Sequence, residues 1–251
     1  MSNPSRRLSA LCACLALAAC SPLAGPPPAQ PQASAAPAPA ATARAAPDWQ
    51  ASGARLLYLA PQESLLTITV RRGGALARLG HDHVIASRTL QGAVAPALGR
   101  AEFRFRLDEM SVDESGLRAA AGLTTTPSAE AIAGTRRNML ARVLDAERYP
   151  WVRIEARRDG GAEVLDADIT LHGVTRRVKV PAHITEAADG RSLQASGTLR
   201  LKQSDFGIVP FAILGGAMAV QDEMELAFRI TAVAHGSDGS SATGSGAGPA
   251  R

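Results

Sequence analysis

Strict alternation of apolar and polar residues is the feature that most restricts this chain. Ala101, Phe103, Phe105 and Leu107 interleave with Glu102, Arg104, Arg106 and Asp108. Leu165, Ala167, Ile169 and Leu171 do so against Asp166, Asp168 and Thr170, and Met224, Leu226, Phe228 and Ile230 against Glu223, Glu225 and Arg229. A period of two sends successive side chains to opposite faces, so each run predicts a strand with one apolar and one wet face. Weaker versions occupy 65–70, 151–155, 177–180 and 193–201. Turn signals at Gly73-Gly74, Asp159-Gly160-Gly161 and Asp189-Gly190 separate them. The expectation is a mainly β protein of about eight antiparallel strands, as a barrel or a sandwich.

One segment breaks the period. Thr126-Pro127 reads as a cap followed by proline at the first helical position, and Ile132, Met139, Leu140, Val143 and Leu144 follow at helical spacing. Arg136, Arg137, Arg142 and Glu147 take the other face, Gly134 is a candidate break, and the helix should stop before Pro150. A single helix inserted into an antiparallel barrel covers an end or a rim.

Arg6 and Arg7 precede an apolar stretch that ends at Leu17-Ala18-Ala19-Cys20. That stretch is a secretory signal, too short to span a bilayer. Its last four residues resemble a bacterial lipobox, which implies cleavage before Cys20 and a diacylglycerol on its sulfur; ordinary cleavage without lipid is the alternative. Ser21 after Cys20 leans, by resemblance to lipoprotein sorting rules, toward the outer membrane. Removing 1–19 takes away Cys12 and Cys14, so thiolate metal sites and cysteine nucleophiles are excluded from the mature chain. The formal charge of +4 drops by two with Arg6 and Arg7, and the remaining basic residues are scattered among acids. That pattern argues against a nucleic-acid partner. Residues 20–48 are rich in Pro and Ala and read as an extended spacer; 235–251, rich in Gly and Ser, read as a tail. The folded domain is 49–234.

Three segments carry a family resemblance. Asp145-Ala146-Glu147-Arg148-Tyr149-Pro150, Leu171-His172-Gly173-Val174-Thr175-Arg176 and Ser204-Asp205-Phe206-Gly207-Ile208, in that order and spacing, resemble the YceI-like family of periplasmic lipid-binding barrels. The resemblance covers about residues 55 to 234. It implies a lipocalin-like antiparallel barrel with a long apolar tunnel for an isoprenoid-like or quinone-like chain. It also implies a non-catalytic carrier, while export and membrane attachment through Cys20 rest on the signal and the lipobox resemblance. Oligomeric state is left open, a dimer included.

The alternation names the inward residues. Phe103, Phe105, Leu107, Ile154, Ile169 and Leu171 line one side of the expected tunnel. Leu199, Leu201, Phe206, Met224, Leu226 and Phe228 line the other. A closed sheet of this size has room for one slender ligand, but these residues can also interlock and fill it. The apolar run 209–220, with Pro210 and Gly215-Gly216, is either a flap at the mouth or a buried strand; Phe211, Ile213, Leu214 and Met218 are its test residues, Phe211 and Leu214 as ligand contacts.

Gly80-His81-Asp82-His83 departs from the commoner family pattern of a single histidine. Histidines at i and i+2 on a strand share a face about 7 Å apart. They would hold a polar or anionic head group, or chelate a metal or haem iron with His172 or His183 as further ligands. Arg88, Arg136 and Arg137 are candidate phosphate contacts, or a solvated face. Asp108, Glu109, Asp113 and Glu114 read as solvated acids at strand ends. There is no G-x-S-x-G elbow, P-loop, dinucleotide fingerprint or H-E-x-x-H motif, and no enzyme is expected. The rival functions are a His81/His83 metal- or haem-binding redox accessory, and a structural envelope module with a filled core.

Overall fold

Each alternating run forms a ladder strand in the computed structural model, which describes Trp49 and residues 52–235. Cys20, the signal, the spacer and the tail beyond 235 lie outside the described residues. The strands are β1 (Leu57–Leu59), β2 (Leu65–Gly73), β3 (His83–Ser87), β4 (Gln91–Ala95), β5 (Arg100–Arg106) and β6 (Ser111–Val112). After the helices come β7 (Trp151–Arg157), β8 (Val164–Leu171), β9 (Val174–Pro181), β10 (His183–Glu186), β11 (Ser192–Lys202), β12 (Ala212–Ile213) and β13 (Met218–Val233). Every pairing is antiparallel.

Several of these segments are one strand interrupted by a kink. β1 runs into β2, β3 into β4, and β9 through Ala182 into β10, which leaves eight long strands among the described residues besides the two-residue β6 and β12. The longest, β13, pairs with β2 and then β1 on one edge and with β11 along the other. From β1 the ladder passes through β4, β5, β7 and β8 to β9. Among the described residues β9 bonds only β8, but its continuation β10 bonds β11 from His183↔Ser196 to Glu186↔Leu193. The sheet therefore returns to β13, and the architecture is the expected lipocalin-like barrel. No ladder joins β9 to Gly197–Lys202 of β11, so the seam is hydrogen-bonded over one half of its height only. Across the open half, Arg176 Nε donates to the Asp205 carbonyl at 2.7 Å.

Register fixes which side chains share the interior. Ala101, Ala156 and Ala167 lie side by side on β5, β7 and β8; one step along, so do Phe103, Ile154 and Ile169. Across the barrel, Leu199, Leu226, Ile68 and Ile85 are in register on β11, β13, β2 and β3. The outer face carries cross-strand ion pairs: Arg177 grips Asp168 with two bonds of 2.8 and 2.9 Å, and Lys179 meets Asp166 at 2.8 Å. Such solvent-screened pairs add little to stability, and their main effect is to keep that face wet.

The three resembling segments meet at one end. His172 and Gly173, at φ 52° and 75°, form the tight β8–β9 turn, whose primed geometry needs positive φ at both positions. The Tyr149 ring packs on that turn: a Cβ on Gly173 would come within 2.7 Å of it, and the His172 ring meets it edge-on at 4.8 Å. Phe206 is completely buried beside them.

The inserted helix, α2 (Ala129–Asn138), starts two residues later than Thr126-Pro127 suggested. Ser128 is the cap because its Oγ accepts from the Ala131 N–H at 3.2 Å, satisfying an otherwise orphaned donor. Gly134 does not interrupt it. A π-helical turn, Met139–Val143, continues α2 and ends before Pro150. A second helix that the pattern did not announce, α1 (Ser115–Ala120), precedes it.

Closure depends on a close approach at Gly197. A Cβ there would lie 2.2 Å from the Pro181 carbonyl oxygen and 2.8 Å from the Phe228 ring. Gly197→Ala is expected to destabilise the barrel by about 1–3 kcal/mol through overpacking. Gly116→Ala, in α1 with nothing within 4 Å, should be neutral or slightly stabilising. Urea unfolding of both variants checks this, and equal midpoints would contradict it.

Candidate functional site

The interior is hollow. A cavity of about 390 Å³ runs between the two halves of the sheet. Phe103, Ile68, Ile169, Leu199, Leu226 and Phe228 point inward yet are only half-buried, because they face this void rather than one another. Between Met224 and Ala232, both in the wall, β13 advances about 26 Å. The hollow is long for its volume, and so slender.

The wall contains Phe103, Phe105, Leu107, Ile154, Ile169 and Leu171, and opposite them Leu199, Leu201, Phe206, Met224, Leu226 and Phe228. Phe211 is there too, but Leu214 is not. The run 209–220 forms an outward hairpin, β12 with the start of β13. Leu214, Gly215 and Gly216 all have positive φ and turn the tip into solvent, leaving Leu214 68% exposed and Val209 81%. The buried-strand reading of this run is thereby corrected, and so is the placing of Leu214 against the ligand. Phe211 faces the cavity with the Arg142 guanidinium 5.1 Å above its ring.

The pattern missed other parts of the wall. Leu66, Ile68 and Val70 of β2 belong to it, as do Met139, Val143 and Leu144, which α2 and its π turn lower onto one end. That end also holds His83, Thr135, Asn138 and Gln203. The opposite end is formed by the β4–β5 turn with Arg100, by Arg158 and by Glu186. Arg158 donates to the carbonyls of Ala162 (2.8 Å) and Gly161 (3.3 Å), and Glu186 pairs with Arg55 at 2.8 Å. The wall at one end is thus neutral and polar, with Arg142 beyond it over Phe211, and the other end is charged.

His83 opens β3 and faces inward in register with Val70; His81 precedes the strand and is not in the wall. Their rings stand 6.3 Å apart, edge to face. Among the described residues, His81 Nδ1 is buried without a hydrogen-bond partner. His83 Nδ1 lies 2.6 Å from Asp113 Oδ2. Asp113 is no solvated acid: its carboxylate has no exposed surface. A left-handed turn at φ 58° aims it inward, and α1 brings Arg118 back to meet it. Oδ1 accepts from Arg118 Nη1 at 2.5 Å and from the Val84 N–H at 3.0 Å. Burial pushes the Asp113 carboxyl upward, but the His83, Val84 and Arg118 hydrogen bonds together hold it below the usual carboxylate range. Arg118, itself buried, spends its other hydrogens on the carbonyls of Asp82 and Thr125 and on Thr125 Oγ1.

The other sequence candidates lie elsewhere. Arg88 pairs with Glu114 at 2.8 Å on the surface, Arg136 donates to the carbonyls of Asp108 and Met110, and Arg137 is exposed. None of the three lines the cavity. His172 is taken up by Tyr149, and His183 is exposed where β10 begins, at the charged end. Among the described residues, no group of three or more His, Cys, Asp or Glu side chains is placed to share a metal ion.

The model of the YceI-like domain family matches residues 63–232. No curated protein matches the chain. Among solved structures, it is similar to a polyisoprenoid binding domain from Saccharophagus degradans implicated in plant cell wall breakdown. The identity is 13%, with 71% of this chain and 98% of that one covered and a TM-score of 0.52. It is also similar to BcnA of Burkholderia cenocepacia, at 15% identity, 70% and 99% coverage and a TM-score of 0.47.

The Asp113 cluster predicts an acid-sensitive core. A carboxylate with a lowered folded-state pKa stabilises fully above its unfolded value, about 3.9, and loses that contribution as pH falls further. Urea midpoints should therefore fall steeply below about pH 4. Asp113→Ala should cost about 3–5 kcal/mol at neutral pH, since it strands the buried Arg118 charge, and should flatten the acid limb.

Proposed function

Because this chain belongs to the YceI-like domain family, we propose that it carries an isoprenoid-like or quinone-like lipid inside its barrel, as a non-catalytic binding protein of the bacterial envelope. The observation that carries this reading is the slender, apolar hollow whose inward side chains remain half-buried. The relative from Saccharophagus degradans, named for polyisoprenoid binding, supports the same class of ligand. Moving a chain into such a space gains about 0.8 kcal/mol per methylene, or roughly 12 kcal/mol for fifteen carbons. Association costs of at least about 4 kcal/mol leave an affinity near the micromolar range.

Export through the 1–19 signal and tethering at Cys20 complete the proposal, with outer-membrane attachment favoured by Ser21. On such a tether, the exposed Val209, Ile213 and Leu214 form an apolar hairpin at the neutral end of the cavity, where a lipid chain would enter past Phe211. A second reading, metal binding at His81 and His83, draws on one observation: metal-ligating histidines commonly give their other ring nitrogen to a carboxylate, as His83 does. Metal analysis of the wild type against His81→Ala/His83→Ala separates the two, since a carrier shows no stoichiometric metal to lose.

Gentle purification, solvent extraction and mass spectrometry should recover a chain-like lipid; recovering none from several host membranes would sink the carrier reading. Phe211→Ala should weaken binding of the extracted lipid roughly tenfold, while Leu214→Ala leaves it unchanged. Cys20→Ser should abolish incorporation of labelled palmitate.

A further inference from the structure

We propose that His83 is the anchor for the polar end of the ligand, and that it selects a lipid ending in an uncharged hydroxyl, an alcohol or a phenol. This rests on the carrier reading above and adds the chemistry of the terminus. The reasoning starts at Asp113. Its carboxylate accepts on Oδ1 from Arg118 and from the Val84 N–H, so it is ionised and has no hydrogen to give. The 2.6 Å contact between His83 Nδ1 and Asp113 Oδ2 is therefore bridged by a hydrogen carried on Nδ1. In the neutral ring that leaves Nε2 as a bare acceptor. Nε2 has no partner among the described residues, and His83 is part of the cavity wall with only 12% of its side chain exposed. Nε2 is open to the cavity rather than sealed in the core, so a ligand in the hollow that brings a hydrogen can reach it.

Apart from Arg142, whose guanidinium stands over the Phe211 ring, the cations around His83 are already engaged, which disfavours a phosphate beside His83. Arg118 is fully spent on Asp113, Asp82 and Thr125. Arg71 is held by Glu225 and Asp82, Arg72 by the Gly80 carbonyl and Asp82, and Arg136 by main-chain carbonyls. The wall beside His83 otherwise offers Thr135, Asn138 and Gln203, none of them charged. A quinone or an ether presents only acceptors to Nε2, so a hydroquinone or a prenol fits this point better than either.

The test is isothermal titration of the full chain with farnesol, farnesyl methyl ether and farnesyl phosphate. Farnesol should bind about threefold to tenfold more tightly than the ether, the worth of one neutral hydrogen bond, and more tightly than the phosphate. His83→Leu should bring alcohol and ether to equal affinity. Asp113→Asn is the sharper probe. With its oxygen still on Val84 and Arg118, its amide donates to Nδ1 and moves the ring hydrogen to Nε2. The alcohol preference should then vanish with the imidazole still in place, which a merely structural role of Asp113 does not explain.

Equal wild-type affinity for alcohol and ether, tightest binding of the phosphate, or a preference that survives His83→Leu would each overturn the assignment and leave lipid carriage standing. So would stoichiometric metal on His83. No binding of any of the three probes would overturn both. The wild-type comparison needs no variant, so a misfolded substitution does not spare the proposal.

Discussion

Closing the sheet is the constraint from which everything else in this molecule follows. Once β10 bonds β11 and the ladder comes back to β13, half the side chains of every strand must share one interior. Eight strands enclose more space than residues of the size of Ala101, Ala156 and Ala167 can fill. The hollow is thus a result of strand number and side-chain size together. Gly197 makes the closure sterically feasible, since β11 passes so near the Pro181 carbonyl that no larger residue fits without adjustment.

Much of this was legible in the sequence because alternation is a local signal. Phe103 and Glu102 declare opposite faces without knowledge of their neighbours, and the register across β5, β7 and β8 then aligns what each strand already specified. β2 was harder to read. Thr67 and Thr69 separate its inward residues only weakly, and Thr69 is itself buried although it lies on the other face. The helix was recognisable from Met139, Leu140 and Val143, but its start depended on which of two hydroxyl residues around Pro127 capped it. Leu214 was misplaced for a different reason: an apolar run carries no facing information, and the positive φ values at 214–216 decide its direction.

Asp113 marks the limit of such reading. Nothing in Val112-Asp113-Glu114 distinguishes a buried carboxylate from a solvated one. Its role arises from a left-handed turn, from a six-residue helix that returns Arg118, and from a histidine thirty residues earlier. The polar chemistry of the cavity is therefore assembled from non-local contacts, whereas its apolar wall is written strand by strand. The same division explains the unlike ends of the hollow, one walled by the uncharged side chains of Thr135, Asn138 and Gln203 beside His83, the other rimmed by Arg158 and Glu186.

The half-laddered seam between β9 and β11 gives the barrel a hoop at one end and a clasp at the other. Where β10 bonds β11, the girth is set by backbone hydrogen bonds of fixed length. Where β9 faces Gly197–Lys202, it is set by side chains and by one guanidinium reaching a carbonyl. The tunnel is accordingly stiff in bore beside its charged rim and adjustable beside the end that His83 and the helix close.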